Sequence, residues 1–299
     1  MARSAPESMH AGYARAWMSP QAQHQNLIYV SNANNNTVSV YGLSSHKLLG
    51  MLTDISAPYG VCTDNTGHVW VVANNKVVEY AHAGTTPIRT LSAPNTDLYD
   101  CAVDPATGNL AVTNWGVNNW YQGNVLVYAP GATKPAVYTA QGVWFYFGAA
   151  YDNKGNLFVD AWDAYLNGYV TLGELKKGSK TLKQVPLVPS FQPPFLGGMR
   201  WDGKYLAILD WNSLALYSVS GGYGHLKGFS PLTNHWPIGE FWILNYGSGK
   251  QQLLAPDTAG HPFAVQFWNY PRCGAPIGTL SSDKLDGPWG ATVSLAQSR

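Results

Sequence analysis

The chain has 299 residues, of which 45% are hydrophobic, 13% aromatic and only 12% charged. This charged fraction is about half of the usual ~25%, which excludes long Lys- and Glu-rich helices, and the 12 Trp and 18 Tyr argue against a disordered chain. Because the formal net charge is +1 and no apolar run approaches the ~20 residues of a membrane-spanning helix, we predict neither a nucleic-acid partner nor a membrane span.

The first predicted segment is a partly flexible extension at residues 1–23, followed by a single domain at 24–299. The extension has no continuous apolar segment, so no export signal is visible in it. The Asn-, Trp- and Gly-rich, charge-poor composition nevertheless favours an extracytoplasmic protein, secreted or periplasmic, with a cytoplasmic one as the alternative.

A four-strand unit recurs along the domain, after three opening strands at 27–31, 37–41 and 47–53. In each unit an apolar strand leads through Asp and Gly into a second strand. Asp bonds its own backbone and Gly accepts a positive φ, so both suit a tight turn. These segments are 59–72 (YGVCTDNTGHVWVV), 100–113 (DCAVDPATGNLAVT), 148–160 (GAAYDNKGNLFVD) and 198–210 (GMRWDGKYLAILD).

The repeat predicts an all-β fold, a six-bladed β-propeller of four-stranded antiparallel blades. Units begin about 40–50 residues apart, and four short strands in such a period are typical of a propeller blade. After Gly290 the chain holds one more strand, at 291–296 (ATVSLA). We therefore expect the N- and C-terminal strands to pair in one blade, which closes the ring and leaves no exposed sheet edge.

Three cysteines form neither a disulfide framework nor a metal-binding C-x-x-C motif. Cys62 and Cys101 occupy the first strands of adjacent units and could face one another. An inert buried pair is the favoured interpretation, and whether the two are bonded stays open.

The repeat resembles that of bacterial NHL-repeat and related six-bladed propellers. The shared pattern is P-x-G-x-x-x-D-x-x-G-x-(apolar)-V-x-(N/D), followed by N-x-V-x-V-Y, and it covers nearly all of residues 27–296. The resemblance implies a superfamily of adhesion and scaffold proteins, gluconolactonase- and paraoxonase-type lactonases, and streptogramin-lyase-like proteins. Fold alone does not choose among these functions.

The resemblance also implies where a metal would bind, because lactonase-type propellers take Asn, Asp and Glu ligands from the starts of the innermost strands. At those positions in this sequence only Asp100 and Glu240 carry a carboxylate, and none carries a His. A hard cation prefers about 6–8 oxygen ligands, so we predict no metal and no cofactor. The polar residues that end the second strands are interpreted as turn caps, with a ring of oxygen ligands as the alternative: Asn32, Asn74, Asn114, Asp160, Asp210 and Asp257.

Aromatic residues cluster on predicted loops that open on the top face, the face on which the innermost strands begin. Aromatic rings near Asp, Asn and His suit stacking on sugars or other flat ligands, although the same rings could instead plug the channel. The candidate ligand-binding residues are Trp115, Trp120, Tyr121, Trp144, Tyr146, Trp162, Trp211, Trp236 and Trp289.

Two functional hypotheses follow. The favoured one is a monomeric binding or scaffold propeller that takes a small molecule, glycan, peptide or protein at the top face. The alternative is a lyase or hydrolase with acid and base groups at the channel mouth, so whether the protein is an enzyme stays open. The candidate catalytic residues are Asp160, Asp163, Asp210, Glu240 and His235.

Overall fold

The computed structural model describes residues 15–117, 121–163, 169–191, 196–210, 213–233, 238–246 and 249–297. Within these residues the chain forms 25 strands and one short 3₁₀ helix, Pro20–His24. The first strands are β1 (Trp17–Met18), β2 (Leu27–Asn32), β3 (Thr37–Gly42), β4 (Leu48–Leu52), β5 (Pro58–Thr63), β6 (Val69–Ala73), β7 (Lys76–Tyr80), β8 (Pro87–Ser92), β9 (Leu98–Val103), β10 (Leu110–Val117), β11 (Tyr121–Tyr128) and β12 (Ala136–Tyr138).

The second half of the chain continues the same all-β pattern. Its strands are β13 (Val143–Tyr151), β14 (Leu157–Asp163), β15 (Val170–Leu175), β16 (Lys183–Phe191), β17 (Leu196–Trp201), β18 (Leu206–Asp210), β19 (Ser213–Ser220), β20 (Tyr223–Pro231), β21 (Trp242–Asn245), β22 (Gln251–Pro256), β23 (Ala264–Tyr270), β24 (Gly278–Ser281) and β25 (Pro288–Ser294). Among the described residues, no helix has the length and apolar character to span a membrane.

These strands form five sheets, so the prediction of six separate four-stranded blades is wrong. Three sheets do have four antiparallel strands: β5–β8, β9–β12 and β21–β24. The strands β13–β20 instead form one eight-stranded sheet, in which the outer strands β16 and β20 pair in parallel. Both outer strands are nine residues long. They pair at Leu187↔Gly224 and Val188↔His225, and a four-strand repeat in the sequence cannot reveal such a contact.

The fifth sheet contains both ends of the described chain. The C-terminal strand β25 pairs antiparallel with β2 over Leu27–Asn32, as the sequence predicted. The sheet has five strands rather than four because β1 pairs with the outer strand β4. Since β1 comes from the predicted extension at 1–23, part of that extension is built into the fold.

The innermost strands surround a central channel and approach one another closely. β25, β5, β9, β13, β17 and β21 follow each other around it, and the N–H of Gly198 in β17 donates to Gly239 O just before β21 at 3.0 Å. Glycine permits this approach. A Cβ at Gly60, for example, would lie only 2.6 Å from the backbone oxygen of Tyr99.

The hydrophobic core lies between neighbouring sheets. Every residue of β2, β3 and β6 is buried, because both faces of these strands are covered. Between the closing sheet and β5–β8, for instance, Tyr29 and Val40 pack with Val61 and Val71. Apolar contact between sheets therefore holds the ring together.

A disulfide joins Cys62 of β5 to Cys101 of β9, so the favoured interpretation of an inert, unbonded pair is wrong. The two Cα atoms are 5.8 Å apart, and each residue is only 1% exposed. The bond therefore fastens adjacent innermost strands that belong to different sheets.

We expect deletion of residues 291–299 to abolish cooperative thermal unfolding and to lower the soluble yield. The deletion removes most of β25 and exposes the edge of β2, which is a template for aggregation. Deletion of 295–299 is the matched control, since it leaves all of β25 in place. An unchanged melting transition in the longer deletion would contradict the role of β25 in closing the ring.

Candidate functional site

A group of buried charges crosses the channel. Arg200 of β17 binds Asp100 of β9 through two hydrogen bonds: Nη1 donates to Oδ2 at 2.6 Å and Nη2 donates to Oδ1 at 3.1 Å. Nη2 also lies 3.4 Å from Oε2 of Glu240. All three side chains are buried. Because β13 separates β9 from β17 around the ring, this ion pair spans the channel interior.

Asp160 of β14 adds a third carboxyl group to these charges. It is fully buried, and its Oδ1 accepts a hydrogen bond from Gly148 N–H at 2.5 Å. Burial raises the pKa of Asp160 to about 8, although the Gly148 hydrogen bond acts in the opposite direction. Burial and then the charge of Asp100 raise the pKa of Glu240 well above its usual value. Two of the three carboxyl groups therefore favour the protonated form.

The guanidinium of Arg200 stays charged in this environment. Burial acts to lower its pKa, but the charges of Asp100 and Glu240 outweigh burial, so the pKa is raised. Gly198 provides the space that this arrangement needs. A Cβ at that position would overlap Oε2 of Glu240. The position of the Glu240 side chain therefore requires a glycine at residue 198.

Eight aromatic rings lie at the starts of the innermost strands and on the adjoining hairpins, and we call them the aromatic surface. Each ring contacts another member, with centroids 5.1–6.5 Å apart. Phe147 is buried, and the other seven are at least partly exposed. The members are Tyr59, Tyr99, Trp115, Trp144, Phe145, Phe147, Trp162 and Trp289.

One half of the aromatic surface closes the channel. Tyr59 and Tyr99 stack at 6.1 Å, and Trp289 meets both edge-on at 5.5 and 6.0 Å. These residues lie at the starts of three neighbouring innermost strands. Asp100 and Glu240 inside the ring are 0% exposed, so the rings cover this end of the channel. Burial and then the charge of Glu240 raise the pKa of Tyr99, because its hydroxyl lies close to the buried charges. This half corresponds to the plug that the sequence analysis gave as the alternative to a groove.

The other half lies beside the channel and is centred on Phe145. Its ring is 5.1 Å from Trp115, 5.5 Å from Trp162 and 6.3 Å from Trp144. Trp115, Phe145 and Trp162 pack against the core of the eight-stranded sheet, whereas Trp144 is 41% exposed. The structure thus brings three of the predicted ligand-binding residues into one cluster.

The predicted loop positions of these residues need correction. Trp115, Trp144 and Trp162 lie on β10, β13 and β14, because the strands extend further than predicted. The pairing of β14 with β15, for example, continues to Trp162↔Val170. Aromatic residues have high β-propensity and pair well across strands, so they lengthen these hairpins instead of ending them.

The other predicted site residues occupy different surroundings. Tyr146 is fully buried in the core, and its hydroxyl accepts a hydrogen bond from Ala140 N–H at 2.9 Å. Asp210 is half-buried at the end of β18, where the Ser213 hydroxyl donates to it at 3.4 Å. Tyr121 begins β11 and Asp163 ends β14. The remaining predicted residues lie outside the described residues: Trp120, Trp211, His235 and Trp236.

Four members of the aromatic surface were not predicted: Tyr59, Tyr99, Phe145 and Phe147. A signal was available for three of them. Tyr59, Tyr99, Phe147 and Trp289 occupy the same position of the repeat on successive innermost strands, directly before Gly60, Asp100, Gly148 and Gly290. Side chains at an equivalent position of a closed ring converge on its axis, so a recurring aromatic residue there predicts a plug.

One group of described side chains, away from the channel interior, has the spacing of a metal site. Ligand atoms of Asp64, His68 and Glu79 lie within 4.8 Å of one another. Both carboxylate oxygens of Glu79 already have partners. Arg89 Nε donates to Oε2 at 3.0 Å, and His68 Nδ1 lies 3.0 Å from Oε1. The predicted absence of a metal stays a prediction.

The fold is similar to that of solved β-propeller structures. The nidogen propeller of a nidogen/laminin complex matches with a TM-score of 0.70 and 12% identity, covering 91% of this chain and 100% of that one. Proteins of unknown function from Bacteroides caccae (0.67, 10% identity, 90% and 99% covered) and Desulfotomaculum acetoxidans (0.59, 11%, 96% and 90%) also match. No family model and no curated protein matches the chain. At such identities the likeness establishes a propeller-like all-β fold alone.

We expect the buried carboxyl of Asp160 to make stability depend on pH. The folded protein holds this proton up to about pH 8, whereas the unfolded chain releases it near the ordinary value of 3.8. The native state therefore binds more protons between these values, so its stability falls as the pH rises.

Asp160→Asn keeps an oxygen for Gly148 N–H and needs no proton. Relative to this variant, the wild type should lose about 1 kcal/mol of unfolding free energy per pH unit between pH 5 and 8. Urea denaturation of both proteins at several pH values measures the difference. A difference that does not change with pH would show that Asp160 is ionised in the folded protein.

Proposed function

We propose that the protein is a non-catalytic binding propeller whose aromatic surface binds a peptide segment of a partner protein. The observation that carries the proposal is Trp144, a large aromatic side chain that is 41% exposed and contacts the Phe145 ring edge-on. Clustered aromatic residues on a rigid scaffold are typical anchors of protein interfaces, because they offer large contact area at small entropic cost.

The relative orientation of the rings favours a peptide over a glycan. Trp144 and Trp162 meet Phe145 nearly edge-on, with interplanar angles of 86° and 78°. Rings at such angles form a corrugated surface with recesses, which suits apolar side chains. A sugar stacks best on a flat, open ring face. A glycan is therefore the second candidate ligand for this surface.

The nidogen propeller gives this proposal further support. Its structure is that of a complex with laminin, so a propeller of similar fold does associate with another protein. Membership of the NHL-repeat superfamily is likewise a proposal, supported by the repeat pattern at 27–296.

The buried carboxyl groups do not favour the alternative of a lyase or hydrolase. Asp160 and Glu240 are 0% exposed and lie with Arg200 inside the channel. An acid or base must reach the substrate within hydrogen-bond distance. The Tyr59, Tyr99 and Trp289 rings close the channel at this end, so a substrate on the top face does not reach these groups.

We further propose an extracytoplasmic location, which the disulfide between Cys62 and Cys101 supports. Structural disulfides persist in oxidising compartments and are rare in the cytosol. The third cysteine, Cys273, is free.

Alkylation of the denatured, unreduced protein should modify one cysteine, Cys273, when the protein is isolated from its natural compartment. Intact-mass analysis counts the modified residues, and reduction before alkylation is the control that gives three. In addition, Cys62→Ala should lower the free energy of unfolding by about 2–4 kcal/mol, because the bond closes a loop between distant residues. Three modified cysteines without reduction would contradict the extracytoplasmic location.

Trp144→Ala tests the proposed interface directly. We expect the wild type to enrich peptides with apolar side chains from a phage-displayed library, and we expect Trp144→Ala to bind them at least about tenfold more weakly. Its free energy of unfolding should change by less than about 1 kcal/mol, because the side chain is largely on the surface. Phe229→Ala, which removes a 52% exposed aromatic ring from β20, is the matched control.

Equal peptide binding by the wild type and Trp144→Ala would contradict the proposed site. A glycan array probed with the same proteins separates the second candidate. Glycan binding that is lost in Trp144→Ala, with no enriched peptide, would replace the peptide by a glycan on the same surface.

A further inference from the structure

A cavity of about 580 Å³ opens at the other end of the channel, where the innermost strands end. Its position follows from the strand ends that line it: Thr63, Val103, Tyr151, Trp201, Leu244 and Val293. The starts of the same set of strands carry the plug. The cavity and the aromatic surface therefore lie at opposite ends of the channel.

This cavity is a pocket with a floor and not a passage through the ring. Arg200 lines its inner end, and the hydrogen bonds of Arg200 to Asp100 cross the channel there. Beyond this ion pair, the rings of Tyr59, Tyr99 and Trp289 close the top face. A ligand that enters the pocket thus stops at the guanidinium.

The walls of the pocket combine ring faces with small apolar groups. Tyr151, Trp201 and Trp242 line it from consecutive innermost strands, and the Cys62–Cys101 disulfide lines it from two others. Pockets of about 300–1,000 Å³ that are mostly apolar with a few polar groups are typical small-molecule sites. The pocket has both the volume and the composition of such a site.

Amide side chains supply hydrogen-bonding groups at the mouth. Asn65, Asn153 and Asn245 line it and are exposed. Two of them are oriented by the fold: Asn65 Nδ2 donates to Pro105 O at 2.9 Å, and Asn153 Oδ1 accepts from Trp201 Nε1 at 2.9 Å. Each amide retains further hydrogen-bonding capacity, since its oxygen has two lone pairs and its nitrogen two protons.

The charges at the pocket favour an uncharged ligand. Among the described residues that line it, the charged side chains are Arg200 at the floor and Asp64 at the mouth. Asp100 already balances the charge of Arg200, and Glu240 lies beside it. Because Asp100 neutralises the guanidinium, the floor offers an anion no net positive charge, and a cation would meet the guanidinium itself.

We propose that this pocket binds an uncharged mono- or disaccharide, as a second site distinct from the aromatic surface. A sugar ring has an apolar face that can pack on Trp201, and its hydroxyl groups can both donate to and accept from the Asn amides. Ring stacking and amide hydrogen bonds of this kind do not require a net charge on the ligand.

The test uses glucose, galactose, N-acetylglucosamine, maltose and cellobiose as probes, with glucuronate and glucosamine as charged counterparts. Saturation-transfer NMR and calorimetry on the full chain should detect binding of at least one uncharged sugar. Asn245→Trp places an indole at the mouth and should weaken this binding at least tenfold. Asn269→Trp, an exposed position on β23 of the same sheet, is the matched control and should bind as the wild type does.

Thermal melts of both Trp variants should match the wild type, which shows that the loss of binding is not a loss of fold. Binding of none of the uncharged sugars, binding of the charged counterparts alone, or equal binding by Asn245→Trp would overturn the proposal. Trp144→Ala should leave sugar binding unchanged, and Asn245→Trp should leave peptide binding unchanged. Loss of sugar binding in Trp144→Ala would assign the sugar to the aromatic surface instead of the pocket. The experiment therefore distinguishes a failure of the pocket proposal from a failure of the peptide-binding proposal.

Discussion

The ion pair between Arg200 and Asp100 is the interaction on which the interior of the ring depends. It joins β17 to β9 across the channel, so it links parts of the ring that no backbone ladder connects. Buried charges destabilise a fold unless they are paired and hydrogen-bonded. The bidentate hydrogen bonds to Asp100 meet this requirement for Arg200. Asp160 and Glu240 have raised pKa values, so they can keep a proton and avoid a buried negative charge.

The charged group also divides the channel into two environments. On one side, rings from the strand starts pack over it and exclude solvent. On the other side, small residues such as Ala149 and Ala150 leave the pocket open. The same set of innermost strands therefore presents an aromatic exterior at one end and a mixed polar and apolar recess at the other. The ion pair therefore separates the two surfaces for which we propose binding.

Much of the backbone could be predicted from the sequence, because turn chemistry and strand alternation are local. The Asp-Gly turns, the opening strands β2, β3 and β4, and the pairing of β25 with β2 all follow from patterns in the sequence. The joining of β16 to β20 could not be predicted, since it is a contact between outer strands of different repeats.

The site was less predictable for a related reason. Single residues such as Trp115 and Trp144 were identified by type, but the burial of Tyr146 depends on which side of β13 its ring occupies. Arg200 carried no motif, and its importance arises from three carboxyl groups that are distant in sequence. The pocket is formed by strand ends, where the repeat pattern is weakest.

The direction of β25 has a practical consequence for handling the protein. This strand runs from Pro288, beside the plug, to Ser294, and the residues that follow, Leu295 and Gln297, line the mouth of the pocket. A chip, bead or fusion partner coupled through these last described residues would therefore sit against the pocket end. Protein molecules immobilised on a chip in this way would share one orientation, with the aromatic surface facing the solution.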